Sequence, residues 1–415
     1  MPIPAALVTP AELTALRTTL DAALPEYLAD LERLVNIDCG SYTKAGVDAI
    51  GAWTSDRLRT LGATVTSHAN ELGLGETVIA EIAGADPDGP TILCIGHMDT
   101  VFDPGTAAAR PFKVENGIAT GPGVTDMKSG LLAGLYAIAA IRDALGGLPL
   151  SRLVFVANPD EEIGSPASTP HIRALAADAD ACLVLECARA NGDIVSSRKG
   201  NLGLAITVNG RAAHAGVEPE KGRSAILEAA RIVTELHALN GRWPGVTVNV
   251  GVIAGGTRPN VVAERTSLEV DVRAVTRDTL VEAEAEIRAI AARTVVPDVT
   301  VAVEERGRHW PMEKLARSGR LVAHAVAIAQ QLGFGLHDAA TGGASDANTT
   351  AGLGVPTIDG LGPIGGLDHA PGEYLEVDSI VPRTQLLAAL MLAIGRDPEV
   401  RAWRAARRAG TGATA

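Results

Sequence analysis

Apolar residues over positions 11–35 recur at helical spacing, which predicts a helix near the start of the chain. Short unbroken apolar runs follow. Residues 91–96, 152–158 and 181–185 read as strands, and 127–145, between the first two, reads as a helix. Continuous apolar strands interleaved with helices predict an α/β sheet covered on both faces. In such sheets ligands collect at the carboxyl ends of the strands.

The rhythm changes at about Arg198. Strands are predicted over 201–209, 246–253, 266–275 and 299–304, with helices over 222–239 and 278–294. This β-α-β-β-α-β order predicts a ferredoxin-like α+β unit inserted into the larger domain. Within 266–275, Leu268, Val270 and Val272 share one face, leaving Glu269, Asp271 and Arg273 on the other. Helices resume at 315–332 and 377–394. The expected organisation is a catalytic domain in two parts, 1–197 and 309–400, an inserted dimerisation or lid domain at 198–308, and a fraying tail at 401–415.

The length of 415 residues suits two domains. With aromatics at 3%, the core must be built from Ala, Val, Leu and Ile. A formal charge of −13 argues against nucleic-acid or anionic-membrane partners. Cys39, Cys94, Cys182 and Cys187 show no CxxC spacing and read as reduced thiols, in keeping with a cytoplasmic location. The first ten residues lack the basic start and apolar core of a secretory leader. The best membrane candidate, 130–141, is too short to span. Glycine-rich turns such as Gly121-Pro-Gly123 raise a nucleotide-binding reading, but no G-x-G-x-x-G joins a strand to a helix and no Walker lysine motif occurs.

The candidate chemistry lies at the strand ends. Glu161 and Glu162 follow the 152–158 run, and on extended chain their side chains would diverge. One carboxylate would then hold a metal while the other carries protons. His97 and Asp99 end the 91–96 run and share a face, so Asp99 would accept the second N–H of His97 and fix its tautomer. Asp126 precedes the 127–145 helix, Glu186 abuts the 181–185 run, and His369 lies in a glycine-rich loop. Singly, each has a plainer explanation: a surface pair for His97 and Asp99, a helix cap for Asp126, a solvated turn for Glu161 and Glu162, a loop histidine for His369. Glu186 is harder to dismiss, because a carboxylate beside a buried strand needs a partner. Jointly they supply the oxygen and imidazole ligands of a divalent-metal centre.

The segments GHMDTV (96–101), GPGVTDMK (121–128), DEEIGS (160–165) and GGLDH (365–369), in this order, resemble the di-zinc family of aminoacylases, dipeptidases and glutamate carboxypeptidases, the folate-cleaving glutamate carboxypeptidases in particular. Weaker echoes are GGASD (342–346) and VNIDCGS (35–41), and the likeness runs over residues 30–397. The resemblance implies two zinc ions per subunit, with cobalt or manganese as possible substitutes. Asp126 would bridge them, His97 and Glu186 completing one shell and Glu162 and His369 the other, with Glu161 as general base. It also implies a homodimer in which His214 reaches the neighbouring subunit's site to stabilise an oxyanion, and a substrate carboxylate held by Arg273 and Asn260. The expected reaction is cleavage of an amide or peptide to release a C-terminal amino acid such as glutamate, with an aminoacylase or dipeptidase as the alternative and a non-catalytic binding module as a remote one. A glutamate side chain would call for a further cation, and Arg198, Lys199, Arg306 and Arg308 are the candidates.

Overall fold

The three apolar runs lie side by side in the larger of two units of a computed structural model that describes residues 7–409. Strands Arg152–Asn158, Thr91–His97 and Ala181–Val184 are adjacent and parallel. Nearly every residue in them is buried. Because neighbouring residues face opposite ways, unbroken burial means that both faces of the sheet are covered. Antiparallel strands Thr77–Ala83 and Thr64–His68 extend the sheet on one side, and the short parallel strand Thr357–Ile358 on the other. Helices Pro10–Val35, Ser129–Leu145, Ala316–Leu332 and Ile380–Arg396 pack on one another within the same core. Pro10–Val35 begins with a capping box in which Thr9 and Glu12 satisfy each other's backbone N–H.

A second, smaller sheet matters for function. The hairpin Gly365–Gly366 and Tyr374–Glu376 pairs with Ile118–Thr120, which pairs in turn with Lys113–Glu115. The hairpin loop carries His369, and Ile118–Thr120 leads directly into the turn bearing Asp126. These strands are only two or three residues long, too short to leave a periodic signature.

The smaller unit comprises Ser197–Glu313 with Thr341–Ala344. Its four-stranded antiparallel sheet runs in the order Thr247–Gly255, Arg265–Ala274, Gly200–Asn209, Thr300–His309. Helices Ala225–His237 and Arg277–Ala292 share a core with Leu268, Val270 and Val272, whereas Glu269 is exposed. This is the ferredoxin-like arrangement. The chain returns to the larger unit at Lys314 rather than at 309.

Three expectations are corrected. The first part of the segment read as a tail belongs to the helix Pro398–Arg408, N-capped by Asp397, with Trp403 and Arg404 buried. Arg401 pairs with Asp86 at 2.6 Å and Arg407 with Asp180 at 2.9 Å. Repeated arginines made this helix look solvated, while its carboxylate partners lie far away in sequence. Second, two helical stretches, Val124–Leu145 and Val377–Arg396, are long and apolar enough to cross a membrane, yet 89% and 83% of their apolar windows are buried inside the protein. Third, Glu161 and Glu162 do not sit on extended chain but in a 3₁₀ turn, Glu161–Ile163. All four cysteines are free and buried. Residues 1–6, at the start of the segment read for a leader, and 410–415, at the end of the expected tail, lie outside the described residues.

Candidate metal centre

His97 is the last residue of its strand and is 1% exposed. Its Nε2 lies 3.1 Å from Asp126 Oδ1 and 3.7 Å from Glu186 Oε1. Its Nδ1 lies 3.0 Å from the carbonyl oxygen of Asp99 and 3.4 Å from Asp99 Oδ1, which orients the ring from behind. On the other side, His369 Nε2 stands 3.1 Å from Asp126 Oδ2 and 3.1 Å from Glu162 Oε2. The Asp126 carboxylate therefore turns one oxygen to each histidine. His369 holds this place from a left-handed backbone position, φ 63°. Ligand atoms of His97, Asp126 and Glu162 fall within 4.8 Å of one another, as do those of His97, Glu161 and Glu186.

The two glutamates diverge, though through the 3₁₀ turn and not through strand alternation. Asp99 sets that turn: one oxygen accepts the N–H of Glu161 and the other that of Glu162, each at 3.1 Å. Asp99 Oδ2 also accepts the Ser41 hydroxyl at 2.6 Å. Its role is thus wider than the histidine partner expected from the sequence, since it aims both glutamates as well. Asp126 does not cap the following helix, whose N-terminal residue is Ser129; it sits in an irregular turn after Gly123.

Crowded acids and imidazoles show in the proton affinities. Burial, and then the neighbouring Glu186, push Glu161 well above the usual carboxylate range. Burial likewise raises Glu162. Burial opposes ionisation of Asp126 too, but hydrogen bonds from His369 and His97 outweigh it and lower its pKa. Hydrogen bonds to Asp126 and Glu162 lift His369 to about 11. For His97 burial acts downward, yet Glu186, Asp126 and Asp99 together raise it well above normal. Such a set is short of positive charge, and Glu162 Oε1 is buried without a hydrogen-bond partner among the described residues. Imidazole nitrogens and carboxylate oxygens in this number fit divalent cations of the zinc, cobalt or manganese kind.

Three supporting features went unread in the sequence. Glu373 is buried and accepts backbone N–H groups from the Asp126 turn. Asp346, within the weak GGASD echo, accepts Asn158 Nδ2 at 2.5 Å and Ser165 Oγ at 2.6 Å, pinning both ends of the glutamate turn. Gly130 admits no side chain, because a Cβ there would stand 1.8 Å from the Leu185 carbonyl oxygen. That close approach seats the Ser129–Leu145 helix against the residue before Glu186. Gly130, in an apolar helix, and Asp346, in the GGASD segment, left traces that sequence reading could have used.

In the smaller unit, His214 is exposed, with its Nδ1 accepting the N–H of Gly216 at 3.2 Å. Asn260 is exposed and its carbonyl accepts the N–H of Ala215 at 3.0 Å. Arg273 is half-buried, paired with Asp271 at 3.0 Å and donating to the Gly342 carbonyl at 3.3 Å. Of the arginines expected to offer a spare cation, Arg308 is committed to Glu284 and Glu305 at 2.6 Å each. Arg306 stands 3.3 Å from Glu304, and Arg198 is buried with its guanidinium on the Gly343 carbonyl.

Residues 93–393, well over half of the chain, match Peptidase family M20/M25/M40. The chain is 31% identical over 379 residues to carboxypeptidase G2 of Pseudomonas sp. (strain RS-16), covering 89% of this chain and 90% of that protein. It is 28% identical over 309 residues to a succinyl-diaminopimelate desuccinylase of Dechloromonas aromatica, covering 70% of this chain and 80% of that protein. In fold it resembles the crystal structure of aminopeptidase PepT from Bacillus cereus, with a TM-score of 0.74 and 24% identity over 89% of this chain and 98% of that one. Matched motifs, fold and clustered ligand types agree, and the chain belongs to Peptidase family M20/M25/M40, a family of metal-dependent peptidases and amidohydrolases.

Proposed function

We propose that this enzyme is a di-zinc carboxypeptidase that hydrolyses an amide bond and releases a C-terminal amino acid, with glutamate as the residue released. The observation that carries the two-metal part is the split Asp126 carboxylate, one oxygen 3.1 Å from His97 and the other 3.1 Å from His369. His97 and Glu186 would hold one ion, Glu162 and His369 the other, and Asp126 both. When bound, such a pair supplies Lewis-acid chemistry, acidifying a water and polarising the scissile carbonyl. Glu161 takes the proton of the attacking water and delivers it to the leaving nitrogen. Its burial and raised proton affinity suit both halves of that transfer. Asp99 keeps Glu161 aimed through its backbone N–H.

The remaining roles fall to the smaller unit. Arg273 offers a planar two-donor fork for the substrate's α-carboxylate, and Asn260 helps to hold the same end. His214 acts in a homodimer, stabilising the oxyanion in the neighbouring subunit's site. Replacement by alanine is expected to lower turnover about 100-fold with metal content intact, the usual loss for one oxyanion donor. Turnover kinetics beside elemental analysis check this, and an unchanged rate removes His214 from the reaction.

A second reading keeps the mechanism and changes the substrate to an N-acyl amino acid; the desuccinylase relative supports it. Hydrolysis rates on pteroyl-glutamate, N-acyl and N-succinyl amino acids and dipeptides, measured with the zinc-loaded enzyme, separate the two. Glutamate release from pteroyl-glutamate as the fastest reaction supports the carboxypeptidase, and preference for an N-succinyl substrate supports the second reading.

A further inference from the structure

Glu373 is 1% exposed, yet among the described residues no lysine, arginine or histidine pairs with it. Instead its Oε1 accepts the N–H groups of Thr125 at 2.9 Å and Asp126 at 3.0 Å, while Oε2 accepts that of Gly123 at 2.9 Å. A buried carboxylate answered only by neutral amides is costly to keep. A side-chain amide has a single acceptor oxygen and could not serve all three N–H groups. Both oxygens are in use, and all their partners lie in the turn that presents Asp126.

The same loop bears His369, four residues before Glu373. The hairpin is drawn tightly onto the turn: at Gly365 a Cβ would stand 2.1 Å from Thr125 Oγ1. One segment therefore contributes a candidate metal ligand and clamps the backbone of the carboxylate facing it. The two sides of Asp126 differ in rigidity. His97 is fixed at the end of a central strand and 1% exposed, whereas the His369 side chain is 53% exposed on a loop.

We propose that Glu373 is a positioning residue that builds the His369-side cation position, by locking the Asp126 turn to the His369 hairpin. This rests on the two-metal reading above. Without the clamp, the His97 side keeps His97 at its strand end and Glu186 just beyond another strand, whereas the His369 side loses the alignment of its loop histidine with the Asp126 turn. Outer-shell partners of this kind are worth about 10–100-fold in metal affinity or activity.

The test uses the full-length chain with Glu373→Ala and Glu373→Gln, the second keeping the volume and one acceptor. Cobalt(II) titration of the metal-free protein, followed by visible absorption, is expected to show a first equivalent weakened less than the second, and a second weakened at least ~10-fold in the alanine variant. The glutamine variant should fall between. In the absence of metal, hydrogen–deuterium exchange over residues 121–128 should lose protection in the alanine variant while the Thr91–His97 strand keeps its own. Unchanged affinity for the second cobalt, or unchanged protection of the turn, overturns the proposal. So does failure of both variants to fold, which makes Glu373 a general folding residue. If the unaltered chain takes up no cobalt, the metal reading fails, whereas the exchange comparison still reports on the clamp.

Discussion

Glu161→Gln is expected to keep the fold and the full metal complement and to lose hydrolysis by about 100-fold or more. The change is isosteric, and the N–H of residue 161 still meets Asp99, so the turn that aims both glutamates survives. What disappears is the basic oxygen. Glu161 suits proton transfer because burial and the neighbouring Glu186 hold its proton affinity well above that of an exposed glutamate. Protonation removes the base, so activity of the native enzyme should fall on the acid side, and the glutamine variant should lack this acid limb. Steady-state kinetics across pH, with metal content determined on the same samples, provide the measurement. Near-native turnover with metal bound would exclude Glu161 as the base.

Asp126→Asn should do comparable damage by a different route. The amide keeps the shape but surrenders the negative charge and one acceptor oxygen, and with them the ability to face both His97 and His369. Lewis-acid stabilisation is worth several kcal/mol, and at about 1.4 kcal/mol per decade its partial loss lowers turnover by ~10²–10³-fold. Metal content should fall with activity, the reverse of the Glu161 variant. Equal metal content with native turnover would contradict a bridging Asp126. The pair of variants thus separates proton transfer from metal holding.

Metal loading should also move protons. Without a cation His369 is lifted to about 11 by Asp126 and Glu162, so it carries a proton at neutral pH. A metal ligand must be the neutral imidazole, hence binding expels that proton. Affinity for zinc should therefore rise as pH increases, and calorimetry in two buffers of different ionisation enthalpy should report net proton release at pH 7. Zero release would show that His369 is not a ligand.

The sequence carried the parts of this picture that depend on unbroken apolar runs. Strands at 91–96, 152–158 and 181–185 emerged within a residue of Thr91–His97, Arg152–Asn158 and Ala181–Val184, because fully buried strands leave a continuous signal. The ferredoxin-like unit was legible through periodicity instead, as strands such as Arg265–Ala274 alternate between buried and exposed residues. The small sheet that joins the His369 hairpin to the Asp126 turn was not, since strands of two or three residues have no period to detect. The glutamate turn was misread because Pro159 and Gly164 frame a short 3₁₀ segment that extended-chain reasoning does not anticipate. Asp99, Asp346 and Glu373 show a further limit: their work is to accept N–H and O–H groups from residues that only the fold brings near. The Pro398–Arg408 helix was missed because its arginines find Asp86 and Asp180 across the structure.

The central claim is that two divalent cations sit on either side of Asp126. Crystals of the zinc-loaded protein, with diffraction recorded above and below the zinc absorption edge, test it most directly. The account predicts two anomalous peaks per chain, one contacting His97, Asp126 and Glu186 and the other Asp126, Glu162 and His369. A map with no peak at Asp126, or with a single peak that leaves Glu162 and His369 without a metal, would contradict it.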